Sequence, residues 1–228
     1  MSAVRTVVAL VVLGLAGCAA PPQTTRAAHF LQAEVPTLAK AEAPRGLTVL
    51  QSQYDVVAVN VVVPTSLRVS EANSLLPNAD IVWRGDPPGD RYAQIKSIFE
   101  TAFARGTSMM RKGPQVVVDI EVTSFHAVTE KARFTVGGIH NMHFLMSLRD
   151  AQTGALLQPP RLIVADTHAA GGAKALAEDA AGRTQKVVVT ERLAEVARRE
   201  LSAVVAMPPD LVMSAQLDST SLRASALR

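Results

Sequence analysis

Cysteine occurs once in these 228 residues, at position 18. With no second thiol the chain cannot form an internal disulfide, so an oxidising compartment offers it no covalent staples. Aromatic residues are scarce, at 4%. That leaves an expected core of Val, Leu, Ile, Ala and Met, and little surface on which bases could stack. No long basic run tracks a phosphate backbone, and the formal charge is only +3. Nucleic acid is therefore not an expected partner. No apolar run reaches the roughly 20 residues that a bilayer-spanning helix needs. The dinucleotide fingerprint, the P-loop pattern and the Gly-x-Ser-x-Gly elbow are also missing. No cofactor is expected.

What is present begins at the N-terminus. Arg5 supplies a small positive region, Val7 to Leu13 form a short apolar stretch, and Gly14 loosens it ahead of Leu15-Ala16-Gly17-Cys18. This layout reads as a secretory signal and not as a membrane span. Leu15-Ala16-Gly17-Cys18 resembles the lipobox of bacterial lipoproteins, where small residues fit the peptidase and the cysteine thiol takes the lipid. The resemblance implies cleavage between Gly17 and Cys18, a diacylglyceryl thioether on Cys18, and usually an acyl chain on the new N-terminus. At about 0.8 kcal/mol per buried methylene, two or three such chains hold a protein on a membrane almost permanently. The plainer reading is a buried free cysteine. Yet a cysteine that closes a signal-like run and precedes Ala19-Ala20-Pro21-Pro22 has no core to enter. Ala19 stands where an aspartate commonly retains such lipoproteins in the inner membrane, so the resemblance implies the periplasmic face of the outer membrane.

Residues 1–17 are thus a signal peptide, and 18–46, with Pro21, Pro22, Pro36 and Pro44, a lipidated N-terminus and flexible tether. A single domain is expected over 47–207. The Ser-, Ala- and Leu-rich residues 208–228 are expected to be a loose tail.

Within the domain, Tyr54 to Val63 is apolar on both faces except at Asn60, which predicts a central strand stopped by Pro64. Ser70 to Trp83 reads as irregular or a short helix, then a short strand. Asp90 can cap a helix whose apolar positions are Tyr92, Ile95, Ile98, Phe99, Ala102 and Phe103, with Gly106 as its left-handed stop. Gln115 to His126 alternates, Val116, Val118, Ile120 and Val122 opposing Asp119, Glu121 and Thr123. Ala132 to Arg149 reads as a second long strand, its apolar face running from Phe134 and Val136 to Leu148, with a bulge at Gly137-Gly138. Asp150 to Gly154 suits a tight hairpin. Pro159-Pro160 puts the following strand, Ala155 to Asp166, on an edge. A final helix carries the stripe Val189, Leu193, Val196, Ala197, Leu201 and Val204, with Glu191, Arg192, Glu195, Arg198 and Arg199 outward. The fold class expected is α+β, a mostly antiparallel sheet of about four strands with two main helices on one face.

The lipobox, the Val-rich strand ending at Pro64, the helix, the hairpin at Asp150 to Gly154 and the closing helix look like small uncharacterised envelope lipoproteins of alphaproteobacteria. More distantly they resemble auxiliary lipoproteins that serve envelope transport and assembly machines. This likeness of element order carries over no functional residue.

Three histidines, His126, His140 and His143, suggest a metal site. Residues three apart on a strand face opposite ways, so His140 and His143 cannot share an ion unless the glycine bulge turns one of them. His140 falls on the apolar face, the usual place of a hydrogen-bonded core histidine. Asp119 and Glu121 share a face and form either a carboxylate pair or a solvated surface. Ala170-Gly171-Gly172-Ala173 precedes helical sequence and reads as a flexible connection more readily than as an anion site. The expected function is that of a membrane-anchored lipoprotein, a non-catalytic accessory or assembly component of the envelope with a protein partner. It would bind through the Asp119 face or the charged face of the last helix. The alternatives are a periplasmic hydrolase or metal-dependent enzyme using His140 or His143 with Asp119 or Glu121, and a lipid-handling module.

Overall fold

The structure is a computed structural model that describes residues 48–206. The signal, Cys18, the whole tether and the tail from 208 lie outside the described residues. The chain enters in β1 (Thr48–Ser52) and continues into β2 (Asp55–Val62). It then passes through a loop to β3 (Ile81–Val82) and into α1 (Arg91–Thr107). Asp90 caps α1 as its sequence suggests, its carboxylate accepting from the backbone N–H of Ala93 at 3.1 Å. β4 (Gln115–His126) follows, then a single helical turn α2 (Glu130–Arg133) and β5 (Gly138–Asp150). The hairpin forms with Gly154 at φ +71°, and Asp150 accepts from the N–H groups of Gln152 and Thr153. It leads to β6 (Leu156–Val164) and β7 (Thr167–Ala169). The helices α3 (Gly172–Ala180) and α4 (Gln185–Glu200) and the strand β8 (Ser202–Ala206) complete the described chain.

The α+β class holds, but the sheet differs from expectation in size and direction. It has six strands, β2-β4-β5-β6 in order, with β3 also paired to β4 and β7 to β5. β2 and β3 run parallel to β4, so the sheet is mixed. The cause is α1, which carries the chain back across the sheet between β2 and β4, as parallel neighbours require. β1 and β8 form a separate antiparallel pair that begins at Thr48↔Ala206. Here the expected stripe of the last helix stops at Leu201, and Val204 belongs to a strand.

β2 is an edge strand and not a central one. Its two apolar faces are real, but Val56 and Val61 enter the core while Val57 and Val62 stay about half exposed. The Ala132 to Arg149 strand is also shorter than expected. Thr129 accepts from the N–H of Ala132 and starts α2, so Phe134 and Val136 lie in the loop after it, both exposed. Gly137 at φ +71° then turns the chain into β5. The Gly171 segment is packed, not slack: a Cβ at Gly171 would overlap the backbone of Val136 and Gly137.

The main helices α1 and α4 cover one face of the sheet, joined in one core with Val116, Val118, Ile120 and Val122 of β4 and Met142, Phe144, Met146 and Leu148 of β5. The centre of that core is aromatic, contrary to the composition's hint. Phe99 meets Phe144 edge to face at 5.2 Å and Phe125 at 6.1 Å, Phe103 meets Phe144 at 5.8 Å, and Trp83 meets Phe125 at 5.5 Å. The few aromatic residues are concentrated where the two helices meet the sheet.

Gly106 does not stop α1; it lies within it, without a positive φ. It is where α4 comes closest: a Cβ there would sit 2.5 Å from the carbonyl oxygen of Ala194 and 2.9 Å from the Ala197 Cβ. Both obstacles belong to a rigid helix, so α1 and α4 must part. Gly106→Ala is expected to lower unfolding stability by about 1–3 kcal/mol despite the higher helix propensity of alanine. Urea denaturation beside Ser97→Ala on the exposed side of α1 checks this; a Gly106→Ala protein as stable as the wild type would contradict the close approach.

Candidate functional site

The three histidines go to three separate places. His126 donates from Nε2 to the Pro77 carbonyl at 2.9 Å, which ties β4 to the loop before β3. His140, on the inner face of β5, is fully buried. The Val128 N–H points at its Nδ1 from 3.4 Å, and its Nε2 has no partner among the described residues. Burial, reinforced by the charges of Arg133 and His168, pushes the imidazole down to about 4. His143 lies on the other face, its Nε2 3.0 Å from Asp166 Oδ1. That carboxylate also accepts from Asn141 Nδ2 at 3.0 Å and the Met142 N–H at 3.2 Å. The opposite faces expected for His140 and His143 are thus observed, and the acid beside His143 is Asp166, not Asp119 or Glu121. Among the described residues no three histidine or carboxylate side chains gather where one ion could be held.

Asp119 and Glu121 belong to the sheet face that α1 and α4 leave uncovered. Asp119 accepts from Asn60 Nδ2 at 2.8 Å and from Arg149 Nε at 2.5 Å. A cleft of about 300 Å³ crosses this face, lined by Val62, Asp119, Glu121, Leu145, Arg149 and Pro160 among others. On β6 the same face carries Leu162 and Val164, cross-strand partners of Leu145 and His143. Val62, Leu162 and Val164 are each half or more exposed. An apolar band therefore borders a few fixed charges on an otherwise open sheet.

A second polar cluster was not legible in the sequence. Arg91 is buried at the start of α1 and holds Glu71 through Nε at 2.7 Å and Nη2 at 2.9 Å. Arg84 reaches the same carboxylate at 2.7 Å and holds Glu130 at 2.9 Å. Hydrogen bonds from Arg91, with Arg84 adding to them, keep the Glu71 carboxyl below the usual range. Buried Arg133 pairs with Asp179 of α3 at 2.7 Å. Gln185 at the start of α4 donates to the Val128 carbonyl at 2.7 Å. Of these groups Arg84, Glu130, Arg133, Asp179 and Gln185 line a cleft of about 280 Å³. Every guanidinium in it already holds a carboxylate, which fits a clasp binding loop, helices and sheet more than a receptor for an outside ion. The partners lie far apart in sequence, so no local spacing reveals them.

Gly171 precedes α3, whose first residue is Gly172, and as the cap residue it offers no side chain to bond the first amides. Its close packing against Val136 and Gly137 accounts for the glycine at position 171.

No curated protein sequence matches this chain. Among solved structures, a Xanthomonas campestris protein of the DUF330 family is similar at 12% identity, over 78% of this chain and 92% of that one, with a TM-score of 0.39. A putative lipoprotein from Caulobacter crescentus is similar at 15% identity, over 62% and 83%, with a TM-score of 0.29. An uncharacterised protein is similar at 16% identity, over 68% and 95%, with a TM-score of 0.35. Likenesses this loose fix neither fold nor activity. The model of a family of unknown function, DUF6778, matches residues 54–216, from the first residue before β2 to beyond β8. The chain belongs to this family, DUF6778.

Proposed function

We propose that this protein is a lipoprotein anchored through Cys18 to the periplasmic face of the outer membrane. In this reading it acts without catalysis, as an accessory or assembly component that binds an envelope protein through its open sheet face. The observation that carries the binding role is the apolar band of Val62, Leu145, Leu162 and Val164 beside Asp119 and Arg149 on a sheet face without helices. Exposed apolar surface rimmed by charge is the composition of a protein contact. The anchor rests on the lipobox-like residues. Among the described residues no helix is long and apolar enough to cross a membrane.

A photo-crosslinking residue placed at Leu145 or Leu162 in cells tests both parts. Adducts of one defined mass are expected from these positions and not from Lys96 on the exposed side of α1. With Cys18→Ser in the same chain, membrane retention and adduct yield should both collapse. A Cys18→Ser protein that stays in the membrane fraction sinks the anchor; adducts equal at Leu162 and Lys96, or absent from both, sink the binding face.

A further inference from the structure

A groove of about 450 Å³ separates the β1–β8 pair from the ends of α1 and α4, lined by Leu50, Ser52, Arg105, Met109, Arg198 and Ser202 among others. Two of its apolar side chains face solvent, Met109 at 89% exposed and Leu50 at 48%, while Met110 at its floor belongs to the core. Val204, the cross-strand partner of Leu50, extends the same ribbon face and is 69% exposed. Arg105 and Arg198 flank the groove, both exposed. On α4 Arg192 pairs with Glu195 and Arg199 with Glu200, and Arg161 of β6 also reaches Glu200. Among the described residues Arg105 and Arg198 meet no carboxylate. Exposed apolar side chains flanked by arginines are the pattern of a surface that inserts shallowly among lipid headgroups, where the cations meet phosphates and the side chains enter the acyl boundary.

The path of the chain says which surface. Thr48, the first described residue, opens β1, and Leu50 of that strand lines the groove. Thr48 follows Cys18 by only thirty positions, so a chain anchored at Cys18 enters the domain at this patch. We infer that the groove between β1–β8 and the ends of α1 and α4 is a membrane-contact site, seating the domain on an anionic phospholipid surface with Arg105 and Arg198 against phosphates and Leu50, Met109 and Val204 among the acyl chains. The inference rests on the anchored reading for its biological setting, but not for its chemistry. The contact would fix the domain's orientation and leave the face bearing Asp119 for a protein.

The test uses the mature chain from residue 18 with Cys18→Ser, so that no acyl chain can bind the vesicles. Flotation with phosphatidylethanolamine–phosphatidylglycerol vesicles is compared with flotation on phosphatidylcholine alone. Binding is expected to the anionic vesicles, to weaken as salt is raised, and to fall about tenfold or more in Arg105→Glu/Arg198→Glu. Met109→Ser should weaken it with the net charge unchanged. Lys96→Glu/Lys174→Glu makes the same change in total charge away from the groove and should retain binding. Circular dichroism confirms that the variants fold, all the altered side chains being exposed. The inference is overturned if the anionic vesicles fail to bind, if the groove variant binds like the wild type, or if the control variant loses as much. The mass of the N-terminal peptide from the wild-type protein reports acylation at Cys18 separately. Its failure would remove the anchor while leaving the vesicle result to be read on its own.

Discussion

Phe99→Ala is expected to lower the unfolding free energy by about 3–5 kcal/mol, the usual cost of emptying a buried phenylalanine site. Phe99 is fully buried and touches Phe103, Phe125 and Phe144, so the loss includes edge-to-face contacts with β4 and β5 as well as the transfer of the ring. Rigid neighbours on both sides limit how far the cavity can close. Against a total stability of about 5–15 kcal/mol for a domain of ordinary size, this is a large share. The melting temperature should fall by roughly 10 °C. Phe134→Ala supplies the contrast. Its ring is 46% exposed, and its removal should cost about 1 kcal/mol or less. Calorimetry on the two variants decides: equal losses would mean that the aromatic centre is not where the structure puts it.

The second large effect is a pH dependence seated in His140. Its folded-state value is about 4 against 6.5 for the free side chain, so the unfolded chain binds more protons in that interval. Stability therefore rises with pH across it, is fully present above about 6.5, and is lost as pH falls toward 4. At about 1.4 kcal/mol per tenfold in proton affinity, the fall amounts to roughly 3 kcal/mol. Burial is the main cause, since the ring is sealed from water; the nearby Arg133 and His168 charges add to it. Glu71, Asp86 and Glu130 also hold lowered values, but theirs start from ordinary carboxyl values. Their contribution is lost at more acid pH, below the interval in which His140 acts. His140→Phe keeps a ring in the site and removes the titration. Urea midpoints measured from pH 7 to pH 4.5 should drop for the wild type and stay nearly level for the variant. Parallel curves would refute the assignment.

Sequence periodicity placed the elements whose residues act locally. The alternation of β4, the Asp90 cap, the apolar stripe of α1 and the Asp150–Gly154 turn depend on neighbours one to four positions away, and each is found where its pattern lies. The misreadings share a different cause. That β2 is an edge strand is a matter of who pairs with it, and α1 decides that by returning the chain parallel. Gly106 has the composition of a helix stop, but its role is set by Ala194, almost ninety positions on. Thr129 ended the supposed long strand by capping a helix of one turn, too short to show a period. The Arg91–Glu71–Arg84–Glu130 chain of ion pairs was invisible for the same reason. The opposed faces of His140 and His143 were legible because strand geometry alone separates them. That Asp166 and not Asp119 answers His143 follows from the β6–β7 corner, which no spacing encodes.

The separate pairing of β1 with β8 has a mechanical consequence. Thr48 and Ala206 lie opposite each other at one end of this ribbon, so a pull on the chain ahead of Thr48 loads its hydrogen bonds one after another instead of together. A strand that unzips yields at lower force than one that must shear. The six-stranded sheet shares no ladder with β1, and it would bear little of the load while β1 peels. Once released, these five residues, already extended at about 3.3 Å each, could swing about Ser52 on an arm of roughly 17 Å. Under tension between a membrane and a partner, such a protein would give way at this ribbon and turn before its sheet unfolded.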